Sequence, residues 1–486
     1  MGKQNNSIVL PAIQRGSRPS SKDKSFGTNN SSSLPKLKNL NLNLQNLPSG
    51  PRHYVKGNVQ TARNHKVRTY HRRLPPTNNG AQTYRRMSGS KRPKSRHRVV
   101  TQPEGVEDKK TSANNFMRPN EVLRDNPNSL TDYEKQEILN YNEIYFLGSM
   151  FAKARTPGDF DDNRGDYEGQ THDHIAYRYE LMSLLGKGSF GRVYKVLDHK
   201  TNEIVALKMI RNKKRFQHQG LVEVKLLEYM RDHGAADRAN IVKLTSSFKF
   251  RGHLCLVTEL LSQNLYEFMK ENNFTPMSLS LIRRFSIQIL NGMRFMARAN
   301  IVHADMKPEN ILLKQANKSG IKIIDFGSGC FSDERIYTYI QSRFYRAPEV
   351  ILGLAYGCEI DMWSLGCILA EFHTGYPLFP GETENDQIQC IMEVCDIPPI
   401  DMIESSPRRR LFFDSKGRPR ITANSRGKKH IPATKTLSRS LRTNNQTFID
   451  FIEKCLIWDP TERMTPSEAL RHPFITNSSQ KNLPPL

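Results

Sequence analysis

Hydrophobic residues follow two different patterns in this chain, and each pattern predicts one kind of element. Apolar residues alternate with polar ones, or form short runs, at 177–185, 204–210 and 254–262, which is typical of β-strands. Residues 221–230 (L-V-E-V-K-L-L-E-Y-M) carry apolar side chains at helical spacing. These stretches predict a small β-rich region that contains one main helix.

The C-terminal half has a helical pattern. Most apolar residues from about 264 to 474 recur with the period of amphipathic helices, and residues 361–371 (D-M-W-S-L-G-C-I-L-A-E) are the clearest example. Basic sequence containing proline and glycine interrupts this pattern at 404–445, which predicts a surface insert, either a docking site or a solvated loop. A β-rich part followed by a large helical part makes α+β the expected fold class.

The N-terminal stretch 1–115 shows neither pattern. It is rich in Asn, Ser, Pro, Arg and Lys, and we expect a disordered basic tail. Residues 1–100 carry 21 Lys and Arg and one acid, whereas the rest of the chain carries 52 basic and 47 acidic residues. The cluster K-R-P-K-S-R-H-R at 91–98 predicts contact with nuclear import machinery or another anionic partner, with an inert solvated tail as the alternative. Both cytoplasm and nucleus are therefore expected locations.

The seven cysteines are scattered singly and show no C-x-x-C zinc spacing. Reduced thiols in a cytosolic or nuclear protein are the favoured interpretation. No apolar run approaches the roughly 18 residues that a membrane span needs. The start of the chain has no secretory signal pattern.

Order is expected to begin near residue 120. Thr131 or Asp132 can cap a short helix, and residues 138–148 (I-L-N-Y-N-E-I-Y-F-L-G) carry more large apolar side chains than a linker needs. We expect this stretch to dock on the domain that follows. The polar stretch 157–174 fits no established metal-site spacing, so a hydrogen-bonded loop is favoured over a metal site. The residues considered there as possible metal ligands are Asp161, Asp162, Asp166, His172 and Asp173.

Residues 303–349 contain H-A-D-M-K-P-E-N, I-D-F-G and S-R-F-Y-R-A-P-E in that order. Asp305 can accept a hydroxyl proton and Lys307 can hold a phosphoryl group, while Asn310 and Asp325 are oxygen ligands of the kind that Mg²⁺ prefers. One such motif alone is usually a polar loop, but the ordered set resembles a protein kinase catalytic core. The resemblance implies ATP as cosubstrate, Mg²⁺ or alternatively Mn²⁺ as metal ion, and protein substrates.

The stretch G-K-G-S-F-G-R-V at 186–193 continues as Y-K-V-L, a strand pattern rather than a helical one. A lone G-x-G-x-x-G is a weak signal, because dinucleotide-binding folds also use it. Here it favours a strand–turn–strand lid over the phosphates of a nucleotide, with glycines that allow close backbone approach. The residues assigned to this lid are Gly186, Lys187, Gly188, Ser189, Phe190, Gly191 and Val193.

Lys208 lies in an apolar strand pattern, where a lysine without a partner is costly to bury. Glu223 is the predicted partner that aims Lys208 at the α- and β-phosphates, and Glu228 is the fallback. The strand 254–262 resembles the hinge between the two lobes of a kinase, where backbone groups meet adenine. The adenine-pocket residues assigned there are Thr258, Glu259, Leu260 and Leu261.

Four further stretches, together with the insert before the last helices, resemble the dual-specificity tyrosine-regulated kinase (DYRK) family, in its second class and nearest the fourth vertebrate member. They are N-E-I-Y-F-L-G at 142–148, D-D-N-R-G-D-Y at 161–167, H-D-H-I-A-Y-R-Y-E at 172–180 and Y-T-Y-I-Q-S-R-F-Y-R-A-P-E-V-I-L-G at 337–353. The resemblance covers about residues 130–475 and implies a bilobal protein kinase fold. The predicted divisions are a tail (1–115), an accessory region docked on the N-lobe (120–176), a kinase domain (177–474; N-lobe 177–260, C-lobe 264–474) and a short tail (475–486).

The resemblance also implies a kinase that phosphorylates its own activation-loop tyrosine during maturation and then Ser and Thr of substrates. Proline just after the target residue and arginine a few residues before it are implied preferences. Tyr339 is the matching tyrosine, and a phosphate there would add about −1.5 to −2 charges. Arg343 and Arg346 are close enough in sequence to clamp that phosphate. Glu349 and Arg463 match the family's structural salt bridge.

The sequence departs from the family at several positions. Ala304 and Met306 stand where kinases generally have Arg and Leu and where this family has Cys and Leu. Thr258 replaces a bulky Phe, which predicts a roomier pocket, and Gly329 replaces a serine with an effect that the motif does not explain. Asp361 is expected to tie its helix to the catalytic loop.

Three alternatives stay open at this point. The first is a catalytically weak kinase-like scaffold whose basic tail mediates nuclear or cytoskeletal binding. The second makes the tail the principal functional part, with the kinase regulating its binding. The third is a sister family of proline-directed kinases, such as the cyclin-dependent or MAP kinases, although these lack the stretch at 138–148. We expect the protein to be a monomer.

Overall fold

A computed structural model describes residues 116–153, 160–335 and 337–476 of the protein. The predicted basic tail at 1–115 and its cluster at 91–98 lie outside the described residues. In the described part, strands come before the main set of helices, as the two hydrophobic patterns predict. The α+β bilobal kinase fold is confirmed.

Ten strands occur in the described residues. They are β1 His174–Ile175, β2 Tyr179–Lys187, β3 Gly191–Asp198, β4 Glu203–Ile210, β5 Leu244–Phe250, β6 His253–Glu259, β7 Ile301–Val302, β8 Ile311–Leu313, β9 Ile321–Ile323 and β10 Cys330–Phe331. An antiparallel sheet has the order β1-β2-β3-β4-β6-β5, and β7 with β10 and β8 with β9 form two small pairs. In the β3–β4 register Val193 is opposite Lys208, which brings the lysine close to the glycine-rich turn.

The α-helices of the described residues lie mainly after β6. They are α1 Pro119–Asp125, α2 Asp132–Glu137, α3 Lys214–Asp232, α4 Ala235–Arg238, α5 Leu265–Glu271, α6 Leu279–Arg298, α7 Pro348–Leu352, α8 Glu359–Thr374, α9 Glu384–Cys395, α10 Ile400–Ser405, α11 Arg409–Phe412, α12 Leu437–Leu441, α13 Gln446–Cys455, α14 Pro466–Ala469 and α15 Pro473–Thr476. Among these described helices, none is both long and apolar enough to cross a membrane.

Helix α8 corrects one prediction. Its sequence was expected to form a clear amphipathic helix, but 14 of its 16 residues are buried. The helix packs against both α6 and α13 and is therefore covered on all sides. Its polar residues are buried with partners, as for Asp361, whose carboxylate accepts the backbone N–H groups of His303 and Ala304.

The stretch before β1 packs against the β-rich lobe. Thr131, one of the two predicted caps, accepts the backbone N–H of Glu134 and is the N-cap of α2. Val122, Leu130, Ile138, Ile144 and Tyr177 form a buried cluster. The backbone N–H groups of Tyr145 and Phe146 both donate to the Tyr177 carbonyl. The predicted docking of residues 138–148 is present in this packing.

The acidic loop is held by ion pairs with the strands, as the hydrogen-bonded-loop interpretation requires. Asp161 is 2.6 Å from His253 Nε2, Asp162 is 2.7 Å from Arg192 Nη2, and Asp166 is 2.7 Å from Arg211 Nε. His172 contacts Glu180, and the Tyr167 hydroxyl donates to Asp173. Each of these acidic groups therefore has a basic or hydroxyl partner within the lobe.

The insert at 404–445 is more ordered than a solvated loop, which was one of its two predicted interpretations. It contains the end of α10 together with α11 and α12, and it buries Phe412, Phe413, His430 and Leu441. Backbone bonds from Ala433 and Lys435 to α9 attach it to the helical lobe. Its buried apolar residues are separated by basic and polar residues, and composition alone therefore suggested a loop.

Candidate active site

A cavity of about 520 Å³ lies between the β-rich and helical lobes. Twelve predicted nucleotide residues and one predicted metal ligand line it: Gly186, Gly188, Ser189, Phe190, Gly191, Val193, Lys208, Glu223, Thr258, Glu259, Leu260, Leu261 and Asp325. Lys187 is not among the lining residues, so its assignment to the lid stays a prediction. Successive strand residues face opposite sides, and Lys187 is exposed at the end of β2.

Sequence reasoning missed most of the apolar lining. The unpredicted apolar residues of the cavity are Leu185, Ala206, Leu227, Val242, Leu256, Leu312 and Ile324. A signal was available for Ala206, because it lies two residues before Lys208 in the same strand and therefore on the same face. Leu312 lies in β8 and Ile324 directly follows β9, both in the other lobe, and no local pattern connects them with this pocket.

Lys208 is held by two carboxylates at the floor of the cavity. Its Nζ lies 2.7 Å from Glu223 Oε1 and 2.7 Å from Asp325 Oδ1. Burial alone would lower the pKa of Lys208, but the charges of Asp325 and Glu223 outweigh burial and raise it. The predicted partner Glu223 is thus the one in contact, and the fallback Glu228 is not needed. A lysine kept charged here can bind phosphate oxygens.

The loop between β7 and β8 holds the predicted catalytic groups in one network. Lys307 Nζ is 2.7 Å from Asp305 Oδ2, and Asn310 Nδ2 donates to the Asp305 carbonyl at 2.8 Å. Ser342 Oγ donates to Asp305 Oδ1 at 2.8 Å and accepts from Lys307 Nζ at 3.2 Å. Ser342 was missed, because one serine in a loop has no local signal that it reaches a carboxylate 37 residues away.

The backbone of this loop is fixed from below. Ala304 is fully buried with φ of 61°, a conformation that costs a non-glycine residue some strain. Its N–H and that of His303 both donate to Asp361, at 3.1 and 2.8 Å. Burial raises the pKa of Asp361 to about 6, although these N–H groups and His303 favour the charged form. The expected tie between Asp361 and the loop is present.

The donor set fits a hard divalent cation. Asp325 sits in a left-handed turn (φ 62°) that points its carboxylate into the cavity, and Lys208 holds its pKa below the usual value despite burial. The amide nitrogen of Asn310 is used by the Asp305 carbonyl, so its oxygen is the atom left on the opposite side. The carboxylate oxygen of Asp325 and the amide oxygen of Asn310 are ligands of the kind that hard divalent cations prefer.

Tyr339 is exposed over 67% of its surface, and the predicted clamp of its phosphate by Arg343 and Arg346 stays a prediction. The Arg346 guanidinium carbon lies 4.1 Å from the centre of the Tyr339 ring, and hydrogen bonding to Arg346 holds the pKa of Tyr339 below its usual value. Arg343 instead donates to the Glu382 carbonyl at 2.7 Å. Only one of the two predicted arginines therefore contacts the tyrosine.

A third arginine joins this group from the insert. Glu384 binds Arg346 Nη1 at 3.2 Å and Arg408 Nη2 at 2.6 Å, so one carboxylate holds both guanidinium groups. Arg408 lies in the run S-P-R-R-R, more than 60 residues from Tyr339. The run was noticed as basic sequence, but nothing local shows which of its arginines turns inward.

Two other positions are explained by packing. Arg463 forms a buried two-pronged pair with Glu349, at 2.6 and 2.9 Å, and both side chains are fully buried. At Gly329 a Cβ would lie 3.0 Å from Leu226 Cδ1 and 3.0 Å from the Val302 carbonyl oxygen. A serine there would need these neighbours to move slightly, which accounts for glycine at this position.

Comparison with known proteins also identifies a protein kinase domain. Residues 179–475 match the model of the protein kinase domain. Dual specificity tyrosine-phosphorylation-regulated kinase 4 of Homo sapiens is 51% identical over 371 residues, which cover 75% of this chain and 71% of that protein. The chain belongs to the DYRK family of protein kinases. The lysine–carboxylate group and the loop around Asp305 are therefore the candidate active site of a protein kinase domain.

Other members are similar over the same part of the chain. Dual specificity tyrosine-phosphorylation-regulated kinase 2 of Drosophila melanogaster is 51% identical over 375 residues, 75% of this chain and 52% of that protein. The DYRK-family kinase pom1 of Schizosaccharomyces pombe is 48% identical over 376 residues, 76% of this chain and 35% of that protein. The chain thus spans about half of the Drosophila relative and a third of the yeast one.

Proposed function

We propose that this protein is an ATP-dependent dual-specificity kinase that phosphorylates its own Tyr339 and then Ser and Thr of protein substrates. The single observation that carries the proposal is the network of Asp305, Lys307 and Ser342 beside the cavity that holds Lys208. A catalytically weak scaffold is less well supported, because the lysine, its partner Glu223 and the catalytic carboxylate are all in bonding contact.

The chemistry follows from the positions of the side chains. Lys208 faces the nucleotide cavity and would bind phosphate oxygens of ATP. Asp305 accepts the proton of the attacking hydroxyl, and Lys307 stabilises the charge of the transferred phosphoryl group from the same side. Mg²⁺, or alternatively Mn²⁺, held by Asn310 and Asp325 would supply charge neutralisation on the phosphates.

The self-phosphorylation proposal rests on the exposed Tyr339 and on the arginines around it. A phosphate on its hydroxyl would bring about −1.5 to −2 charges next to Arg346 and, through Glu384, next to Arg408. Each charge-assisted hydrogen bond of that kind contributes roughly 1.5–3 kcal/mol. Two such bonds would fix the activation segment in one position.

The preference for proline after the target residue has a physical basis in Arg346. Its Nη2 and Nε donate to the carbonyls of Gln341 and Ile340, at 2.9 Å each, directly before Ser342. These carbonyls are thereby less available to a substrate N–H. A substrate that places a proline opposite these carbonyls loses no hydrogen bond, because proline has no N–H to leave unpaired.

The preference for an upstream arginine is supported by a second cavity, of about 510 Å³, beside Ser342. Glu309 and Glu371 both line it, so it presents two carboxylates to a basic side chain. Burial raises the pKa of Glu371 to about 7, with a further contribution from Glu309, and the hydroxyl of Tyr345 partly offsets both. A bound guanidinium would favour the ionised form of this pair.

For the basic tail, which lies outside the described residues, composition alone supports a function. The basic tail would contact import machinery or other anionic partners, and the protein would be a monomer found in both cytoplasm and nucleus. Deletion of residues 1–110 separates this from the alternative in which the tail is the principal functional part. Kinase activity should survive the deletion, and only location or partner choice should change.

The test of the activity is phosphate transfer to peptides that contain Ser-Pro or Thr-Pro with an upstream arginine. Asp305→Asn should lower the rate by about 10²–10⁴-fold, the contribution of a general base. Asp333→Asn, at an exposed position of the same segment, is the matched control and should retain activity. A wild-type protein that binds ATP and metal ion but transfers no phosphate to itself or to the peptides would establish the scaffold alternative.

A further inference from the structure

Three side chains with metal-binding atoms meet between α9 and the insert, and none of them lines the nucleotide cavity. Asp386 and Cys390 lie four residues apart on α9 and therefore on one face of the helix. His430 comes from the insert and packs against that face. One oxygen of Asp386, the Cys390 sulfur and a ring nitrogen of His430 all lie within 4.8 Å of one another, and all three residues are buried.

The spacing matches a tetrahedral metal site. His430 Nε2 is 3.6 Å from Cys390 Sγ and 3.6 Å from Asp386 Oδ1. With zinc bonds of about 2.3 Å to sulfur and about 2.0–2.2 Å to nitrogen and oxygen, tetrahedral ligand atoms stand about 3.4–3.6 Å apart. The nitrogen–oxygen separation is too long for an ordinary N–H···O hydrogen bond, whereas the nitrogen–sulfur separation is within the range of a hydrogen bond to sulfur. Direct contact therefore explains the pairing of His430 with Cys390 but not that of His430 with Asp386.

Unpaired atoms point to a ligand at this place. Asp386 is 95% buried, and its Oδ1 has no hydrogen-bond partner, whereas its Oδ2 accepts the Glu382 N–H at 2.9 Å. Leaving a buried carboxylate oxygen without a partner is costly. A cation bound between Asp386, Cys390 and His430 would satisfy it.

A carboxylate lies beside the histidine, as it does beside many ligating histidines. The other ring nitrogen, Nδ1, is 3.0 Å from Glu393 Oε2, close enough for an ion pair but without the geometry of a hydrogen bond. Lys428 also pairs with Glu393, at 3.0 Å, and the Lys435 N–H donates to the Glu393 carbonyl. The insert is therefore fixed to α9 on both sides of His430 before any metal binds.

We propose that Asp386, Cys390 and His430 form a zinc site that fastens the insert to α9. The combination of thiolate, imidazole and carboxylate selects zinc over the hard cations that suit the nucleotide site. Burial raises the pKa of the Cys390 thiol to about 12, so metal binding must release its proton to solvent. Three protein ligands leave the fourth tetrahedral position to water.

The test is a Co²⁺ titration of the chelator-treated, full-length protein without a histidine tag, in excess Mg²⁺. Cobalt in place of zinc gives a near-ultraviolet band only when a thiolate is bound to it. Wild-type protein should bind one Co²⁺ with this band, and zinc should remove it. Cys390→Ser should abolish the band, and His430→Gln should weaken binding at least about 100-fold, more than loss of a supporting group does.

Cys395→Ser is the matched control, because Cys395 is the other cysteine of α9 and is not part of the cluster. It should keep both the band and the affinity. Should Cys390→Ser fail to fold, His430→Gln carries the same test from the insert side. The proposal is overturned by a wild-type protein without the band, or by a band that Cys390→Ser or His430→Gln leaves unchanged.

Discussion

Loss of Arg463 should destabilise the helical lobe strongly. The guanidinium donates five hydrogen bonds, two to Glu349 and three to the carbonyls of Ile457, Trp458 and Glu359. Arg463→Ala would leave the Glu349 carboxylate fully buried without a countercharge. Breaking a buried pair in this way costs about 3–5 kcal/mol. In a large domain each kcal/mol lowers Tm by about 2–4 °C, so a fall of roughly 6–20 °C is expected.

Differential scanning fluorimetry at constant protein concentration measures this change. Arg418→Ala is the matched control, because Arg418 forms the same kind of pair with Asp414 but is 72% exposed, and its loss should leave Tm unchanged within error. Adding Glu349→Gln to Arg463→Ala should recover part of the loss, since it removes the buried unpaired charge. Equal shifts for Arg463→Ala and Arg418→Ala would refute this reasoning.

Three further changes test the site itself. Thr258→Phe should reduce the potency of inhibitors with large back-pocket groups by at least about tenfold through overpacking, with the KM for ATP nearly unchanged; equal potency would contradict the roomier pocket. Ser342→Ala should lower kcat by roughly 10–100-fold, because Asp305 loses a hydrogen bond to its charged group; an unchanged kcat would remove Ser342 from the network. The wild-type KM for arginine-containing peptides should rise as pH falls through about 7, because Glu371 then becomes protonated. This pH dependence of KM should vanish in Glu371→Gln. Its persistence in that variant would assign the pH dependence to another group.

The sequence was sufficient where a contact follows from a local period or a short motif. Lys208 and Glu223 meet because a strand and a helix each present one face to the same cavity, and both periods can be read directly. The expected tie of Asp361 to the catalytic loop is also present, at 2.8 and 3.1 Å. In these cases the chemistry limits the choice of partner to very few residues.

The missed residues share a different property. Ser342, Arg408 and His430 act through contacts that depend on how loops return to the helical lobe, and none has a pattern of its own. Helix α8 was misjudged because its few polar residues suggested an exposed face, whereas their partners lie inside the lobe. Tertiary packing, rather than local preference, decides all four cases.

The most direct test of the proposed function is mass spectrometry of full-length protein expressed in bacteria, where no other tyrosine kinase is expected to act. We predict phosphate on Tyr339 in the wild-type protein and none on Tyr339 in Asp305→Asn. Asp333→Asn should carry the same phosphate as wild type. Wild-type protein without phosphate on Tyr339, or Asp305→Asn protein that carries it, would contradict self-phosphorylation by this site.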